Sequence, residues 1–211
     1  MPRQNRVTPF GELVATPELG TLMGNRGGCL HDPAQRIVRP FASRRWIVCL
    51  LEFKGRRRSI MAPGRYTELF FLDEATALAA GHRPCAECQR ARYDAFREHW
   101  AAANADVAAV PQPRADEIDR VLHAERLGRG RAKRTYRDRL SNVPAGAMVA
   151  DDDGRAFLVH ERGLLPWTPG GYAPPKPRTD DGDVSVLTPR SIVRAIAAGF
   201  PVGLHSSVAT A

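Results

Sequence analysis

The stretch Phe70 to Gln89, FFLDEATALAAGHRPCAECQ, constrains what this chain can fold into more than any other. It predicts the apolar end of a strand, an Asp73 N-cap, a short Ala-rich helix with Glu74 in its first turn, and a Gly81 stop. A knuckle with Cys85 and Cys88 in C-x-x-C spacing follows directly. Two thiolates on one tight turn can reach a single metal ion, and the start of the next helix favours their negative charge. Thioredoxin-like redox pairs share this spacing. Here Pro84 precedes the first cysteine and no βαβ pattern surrounds it, which favours the metal.

A closed structural zinc site takes four ligands. The chain has 4 cysteines, and its N-terminus, MPRQNRVTPFGELV, lacks the apolar centre of a secretion signal. Reduced thiols in a cytoplasmic protein serve metal binding better than a disulfide framework. The expected cofactor is therefore Zn2+, held by Cys29, Cys49, Cys85 and Cys88. His31, two positions after Cys29, is the alternative to one of these cysteines, and His82 lies close to Cys85. Cys49, inside the apolar run WIVCLLEF, also suits a small buried hydrophobe.

The expected fold class is α+β: a zinc-stabilised strand and helix module over residues 1–105, then a mixed β-hairpin and helix section over 106–211, possible as one packed unit. Residues 3–28 predict an extended arm with short strands closing on Gly27-Gly28. Trp46 to Phe53 predicts a buried strand, and SIM, PGR and YTELFF predict further strands or a hairpin turning at Pro63-Gly64. Helices are expected from about Ala86 to Ala103 and from Asp116 to Leu127, with a linker at 107–114 between them. AMVAD and GRAFLVHE flank an Asp-Asp-Asp-Gly turn, a hairpin signal. LLPWTPGGYAPPKPR predicts a Pro-rich loop, DVSVL a strand, and Thr188-Pro189 the cap of a helix reaching about Ala198. No run of about 18 apolar residues marks a membrane span.

Charge adds a partner class. The chain's formal net charge is +8, and the excess sits in residues 1–150, where 25 basic face 16 acidic residues; residues 151–211 hold 6 and 7. Arg56, Arg57 and Arg58 follow the Cys49 run, and Arg129, Arg131, Lys133 and Arg134 form a second cluster. Guanidinium forks match phosphate oxygens, so both clusters are candidates for nucleic-acid binding that positions a backbone without reading sequence. A solvated surface accounts equally for such a charge run. His160, Glu161, Trp167, Tyr172 and His205 are capable of acid–base work or base stacking, but their separations match no motif. Trp167 and Tyr172 are better read as packing the Pro-rich loop. The three acids 151–153 fit a solvated hairpin tip.

YTELFFLDEATALAAGHRPCAECQR, about residues 66–90, resembles part of the zinc-binding domain of the Ada DNA alkylation-repair family. There a strand, an Ala-rich helix, a Gly and an RPC-x-x-C knuckle occur in the same order. The resemblance implies a zinc site of four cysteines, contact with DNA, and one cysteine that accepts a methyl group from a DNA phosphotriester. Cys85 and Cys88 match the family's knuckle. The family's other two cysteines lie close together, whereas Cys29 and Cys49 do not, so the metal site carries over and the reaction does not. The expectation is thus a zinc-containing nucleic-acid-binding protein, of DNA in particular, in repair or processing. The alternatives are an enzyme acting on nucleic acid, of nuclease or glycosylase type with structural zinc, and a zinc-stabilised protein-interaction module.

Overall fold

In the computed structural model, residues 1–56, 59–177 and 182–211 are described. Arg57 and Arg58, two of the expected phosphate contacts, lie outside them. The chain is α+β, with two six-stranded sheets and four α-helices among the described residues.

The first sheet uses β1 (Gln4–Val7), β2 (Leu13–Ala15), β3 (Leu22–Asn25), β4 (Ile47–Cys49), β5 (Leu69–Phe71) and β6 (Arg83–Pro84), in the order β2-β1-β5-β3-β4-β6. It is mixed: β1 runs parallel to β5 and β4 parallel to β6, and the other pairs are antiparallel. The second sheet is antiparallel throughout. It orders β11 (Gly171–Tyr172), β10 (Gly163–Thr168), β9 (Ala156–His160), β8 (Met148–Ala150), β12 (Asp183–Val186) and β7 (Tyr136–Arg139). The helices are α1 (Glu74–Ala79), α2 (Arg90–Ala103), α3 (Ala115–Arg126) and α4 (Arg190–Ala197). No helix among the described residues is long and apolar enough to cross a membrane.

The two sheets meet at α1, all six of whose residues are buried. Ala77 packs with Val7, Val48, Leu69 and Phe71 of the first sheet. Ala75 and Ala79 pack with Met148, Leu158 and Leu165 of the second. Leu78 joins Phe96, Trp100, Ile118, Leu122, Val186 and Phe200 in the largest core. Alanine suits a helix buried on every side because small side chains let neighbours approach from all directions. Asp73 caps α1 as its sequence implies, with Oδ1 accepting from Thr76 N at 2.9 Å. Gly81 takes φ +86°, and a Cβ there would stand 2.6 Å from Cδ of Arg126. Residues on both sides of Ala105 therefore share two cores.

Several expected elements differ. The Trp46–Phe53 strand stops at Cys49; Leu50 and Leu51 leave the sheet and are 39% and 49% exposed. Ser59–Met61 forms no strand, so YTELFF contributes β5 alone. The first part of the Pro-rich segment, read as a loop, is strand: β10 pairs with β9, Pro166 lies opposite Phe157, and Gly171–Tyr172 forms β11. Thr188 does not cap α4. Its Oγ1 accepts from Met148 N, and the carboxylate of Glu125 accepts from Ser191 N and Oγ instead. Trp167 and Tyr172 tie this sheet to the N-terminus of α1, donating to Thr76 Oγ1 at 3.1 Å and Asp73 Oδ2 at 2.9 Å. At the hairpin tip Arg155 pairs with Asp151 and Asp153.

A cluster of cations lies inside the protein, which sequence reasoning missed. The guanidiniums of Arg26 and Arg126 each stack 4.0 Å from the Trp46 ring centroid. Arg26 Nε donates to Nε2 of the fully buried His82 at 3.2 Å, and Arg126 donates to the carbonyls of Gly81 and Arg44. Lys133 turns inward and donates to the Ala79 carbonyl. Burial, aided by Arg26 and Arg126, pushes the Lys133 amine down to about 7. An unfolded lysine titrates near 10.4. Between about pH 7 and pH 10 the unfolded chain therefore holds a proton that the folded chain has released, and stability rises with pH across that window. The gain in wild-type unfolding free energy should exceed that of Lys133→Met by more than about 1 kcal/mol, one pKa unit's worth, in urea titrations at both pH values.

Candidate metal centre

Strand pairing explains how the thiols converge. β4 and β6 run parallel with Ile47 opposite Arg83 and Val48 opposite Pro84. The next residues along the two strands are Cys49 and Cys85, and Cys85 N donates to Val48 O at 2.9 Å. The chain then turns tightly, with Gln89 N donating to Cys85 O at 3.1 Å and the Gln89 amide to Val48 O at 2.9 Å. This turn returns Cys88 toward the other two. The α2 helix begins at Arg90, after the knuckle rather than within it as expected from Ala86.

The three sulfurs lie within 4.8 Å of one another. Tetrahedral zinc with Zn–S bonds of about 2.3 Å separates its sulfurs by about 3.8 Å, so small side-chain rotations suffice to close the set on a metal. Backbone amides already point at these sulfurs: Glu87 N lies 3.4 Å from Cys85 Sγ, Cys88 N also donates to Cys85, and Leu50 N donates to Cys88. Hydrogen bonds to the charged form favour thiolate. The Cys49 thiol hydrogen bond, more than any other contact, lowers Cys85 to about 5. Cys49 in turn is pushed far up, because its proton bridges to that thiolate and its surroundings are partly desolvated. Cys88 is raised, burial being the main cause. A metal cation would displace the protons that the other two thiols still hold. The residues fit a metal ion.

Cys29, expected as the fourth ligand, is not in this group. After β3 the chain turns through Gly27 and Gly28, at φ +90° and +120°, with both amides donating to Asn25 Oδ1. Cys29 Sγ then donates to His31 O at 3.2 Å. His31 does not replace it, since its Nδ1 meets Thr67 Oγ1 at 2.7 Å and its Nε2 lies 3.3 Å from Ala62 O. His82 is a core histidine, edge-on to Phe71 and tilted against Trp46, and held well below the ordinary histidine range, chiefly by burial.

The three cysteines line a cleft of about 400 Å³. Its walls come from Leu50, Leu51, Phe53, Ile60 and Phe70, with Glu68 and Tyr66 deeper in the sequence run before β5. Glu68 Oε2 accepts from Met61 N at 2.7 Å. Arg56 and Glu87 meet at 2.8 Å at the cleft, with side chains 44% and 62% exposed. The sequence signal for this wall is the pair Leu50 and Leu51 directly after Cys49, two large apolar residues beyond the last position of β4.

The expected nucleic-acid contacts divide. Arg56 lies on the cleft, paired with Glu87. Arg129, Arg131 and Arg134 are exposed, with Arg131 stacked over Phe41 at 5.3 Å and Arg134 donating to Ala124 O at 3.1 Å. Lys133 is not a phosphate contact, because its ammonium is turned into the interior. Phe41 lies against Trp46, just before β4, so Arg131 and Arg56 sit toward opposite ends of that strand. Comparison with protein-family models, with curated proteins and with solved structures finds no match to the chain.

Proposed function

We propose that this is a zinc protein that binds nucleic acid, DNA in particular, in a repair or processing role. The convergence of Cys49, Cys85 and Cys88 carries the reading. Thiolate donors select soft or borderline metals, and zinc is the redox-inert member of that set. The resemblance of residues 66–90 to the Ada zinc domain supports the same metal and the polyanionic partner. So does the exposed arginine run Arg129, Arg131 and Arg134, in the part of the chain that carries the positive excess.

Phosphate contacts release counterions, so affinity should fall steeply with salt. Binding of a fluorescent duplex and of single strands, measured across salt concentrations, gives the slope. Replacing Arg129, Arg131 and Arg134 together by Ala should reduce the log–log slope by roughly 1 per arginine. Absence of binding at low salt, or a slope untouched by the triple substitution, would count against the reading.

The cleft favours a second reading, an enzyme acting on nucleic acid. Its volume falls within the range of roughly 300–1,000 Å³ usual for ligand pockets. Incubation with damaged and undamaged oligonucleotides separates the two, since an enzyme yields more than one product per protein.

A further inference from the structure

We propose that a metal held by Cys49, Cys85 and Cys88 keeps its fourth coordination position for a ligand from outside the protein, a thiol carried on an apolar body. The inference rests on the metal reading above and goes beyond it, because a structural zinc site is closed by the protein itself. Three observations point to an open position.

The first is the count of donors. Among the described residues the three thiols are the only group of metal-ligating side chains near enough to share an ion. The cysteine and histidines nearest in sequence are committed elsewhere: Cys29 to the His31 carbonyl, His31 to Thr67 and Ala62, and His82 to Arg26. Glu87, beside Cys88, is the one exposed carboxylate at the knuckle, and it is paired with Arg56.

The second is where the sulfurs face. All three cysteines line the same cleft, so the group borders open space rather than being enclosed on every side by packed core. A catalytic or ligand-binding zinc site has this form, with three protein ligands and a fourth position for an incoming molecule.

The third is the character of the wall. Leu50, Leu51 and Ile60 are 39%, 49% and 37% exposed around this opening, the leucines directly after Cys49 and Ile60 further along the stretch between β4 and β5. Apolar side chains grouped at a cleft favour a ligand that removes them from water. Three thiolates make a bound metal soft, and a soft centre prefers another sulfur over a carboxylate oxygen. On binding, the thiol loses its proton to solvent and its sulfur donates a lone pair to the metal. No electron is transferred and no other bond breaks.

The test uses the full chain loaded with cobalt(II), whose thiolate charge-transfer and ligand-field bands report the donor set directly. Phenylmethanethiol, 2-mercaptoethanol, imidazole and acetate are titrated separately, with cobalt content checked after each. The expected result is a saturable spectral change with phenylmethanethiol, a thiol of similar acidity, at concentrations at least about tenfold below those needed for 2-mercaptoethanol, one cobalt remaining per chain. Leu51→Ser with Ile60→Ser should leave cobalt content unchanged and narrow the gap between the two thiols. Spectra that ignore all four probes while one cobalt stays bound would show a site closed by the protein. A response only to imidazole or acetate would overturn the ligand class, and an equal response to both thiols would overturn the role of the apolar wall. Failure to bind cobalt at all would instead remove the metal reading on which the inference rests.

Discussion

Asp119→Ala should destabilise the protein by about 3–5 kcal/mol, the cost of leaving a buried charge without its partner. For a chain of this size the melting temperature should fall by roughly 6–20 °C. Arg83 and Asp119 make a two-pronged contact at 2.9 and 2.7 Å, and their side chains are only 3% and 6% exposed. Removing the carboxylate strands a guanidinium that also contacts Pro84 O and stacks on Tyr93. Burial raises the Asp119 carboxyl, and the Arg83 hydrogen bonds and charge oppose that rise, so the pair offsets a desolvation cost rather than adding free stability. The double variant Arg83→Leu with Asp119→Leu should accordingly recover most of the loss. A single variant costing less than about 1 kcal/mol in urea unfolding would place this pair with exposed ones and contradict its structural role. The pair also matters for the metal centre. Arg83 belongs to β6, which delivers Cys85, and Asp119 anchors that strand to α3, so Asp119→Ala should weaken metal binding as well as folding.

Replacing Cys49, Cys85 or Cys88 by Ser should lower metal affinity by more than about 100-fold each, since even residues that merely support metal ligands cost 10–100-fold when changed. Cys29→Ser should leave affinity unchanged. The three cysteines sit at the end of β4, directly after β6 and in the knuckle before α2, so a metal held by them would tie one edge of the first sheet to the helix that fills the largest core. Metal removal by a chelator should lower the melting temperature of wild type and leave the Cys85→Ser variant unmoved. The pH dependence has a definite sign. A thiol raised as far as Cys49 still holds its proton at neutral pH, and metal must displace it. Affinity should therefore rise as pH increases and fall as it decreases, measured by competition with a chromophoric chelator.

Local signals carried well from sequence to structure. Asp73 and Gly81 bound α1 because a cap and a left-handed stop act within a few residues, and the Asp-Asp-Asp-Gly turn closes the β8–β9 hairpin for the same reason. Interactions between distant segments were less legible. Thr188 preceded a helix and had the chemistry of a cap, yet β8 captured its hydroxyl and Glu125 of α3 supplied the cap. The Pro-rich segment became β10 because pairing with β9 outweighed its turn-like composition. At the metal centre the knuckle was visible as C-x-x-C. The third sulfur depends on the parallel register of β4 with β6, and the exclusion of Cys29 depends on a glycine turn and the His31 carbonyl. Counting cysteines could not show that Cys29 lies apart from the other three. Likewise, charge counting placed Lys133 on the surface with its neighbours, whereas its ammonium serves the Ala79 carbonyl.

Three thiols, and not four, are expected to hold one metal. Native mass spectrometry of the zinc-loaded chain, combined with brief alkylation under non-denaturing conditions, tests it in one experiment. The account predicts one zinc per chain, with the label found on Cys29 and with Cys49, Cys85 and Cys88 protected until a chelator is added. A chain without zinc whose four cysteines all react, or one in which Cys29 is protected together with the other three, would contradict it.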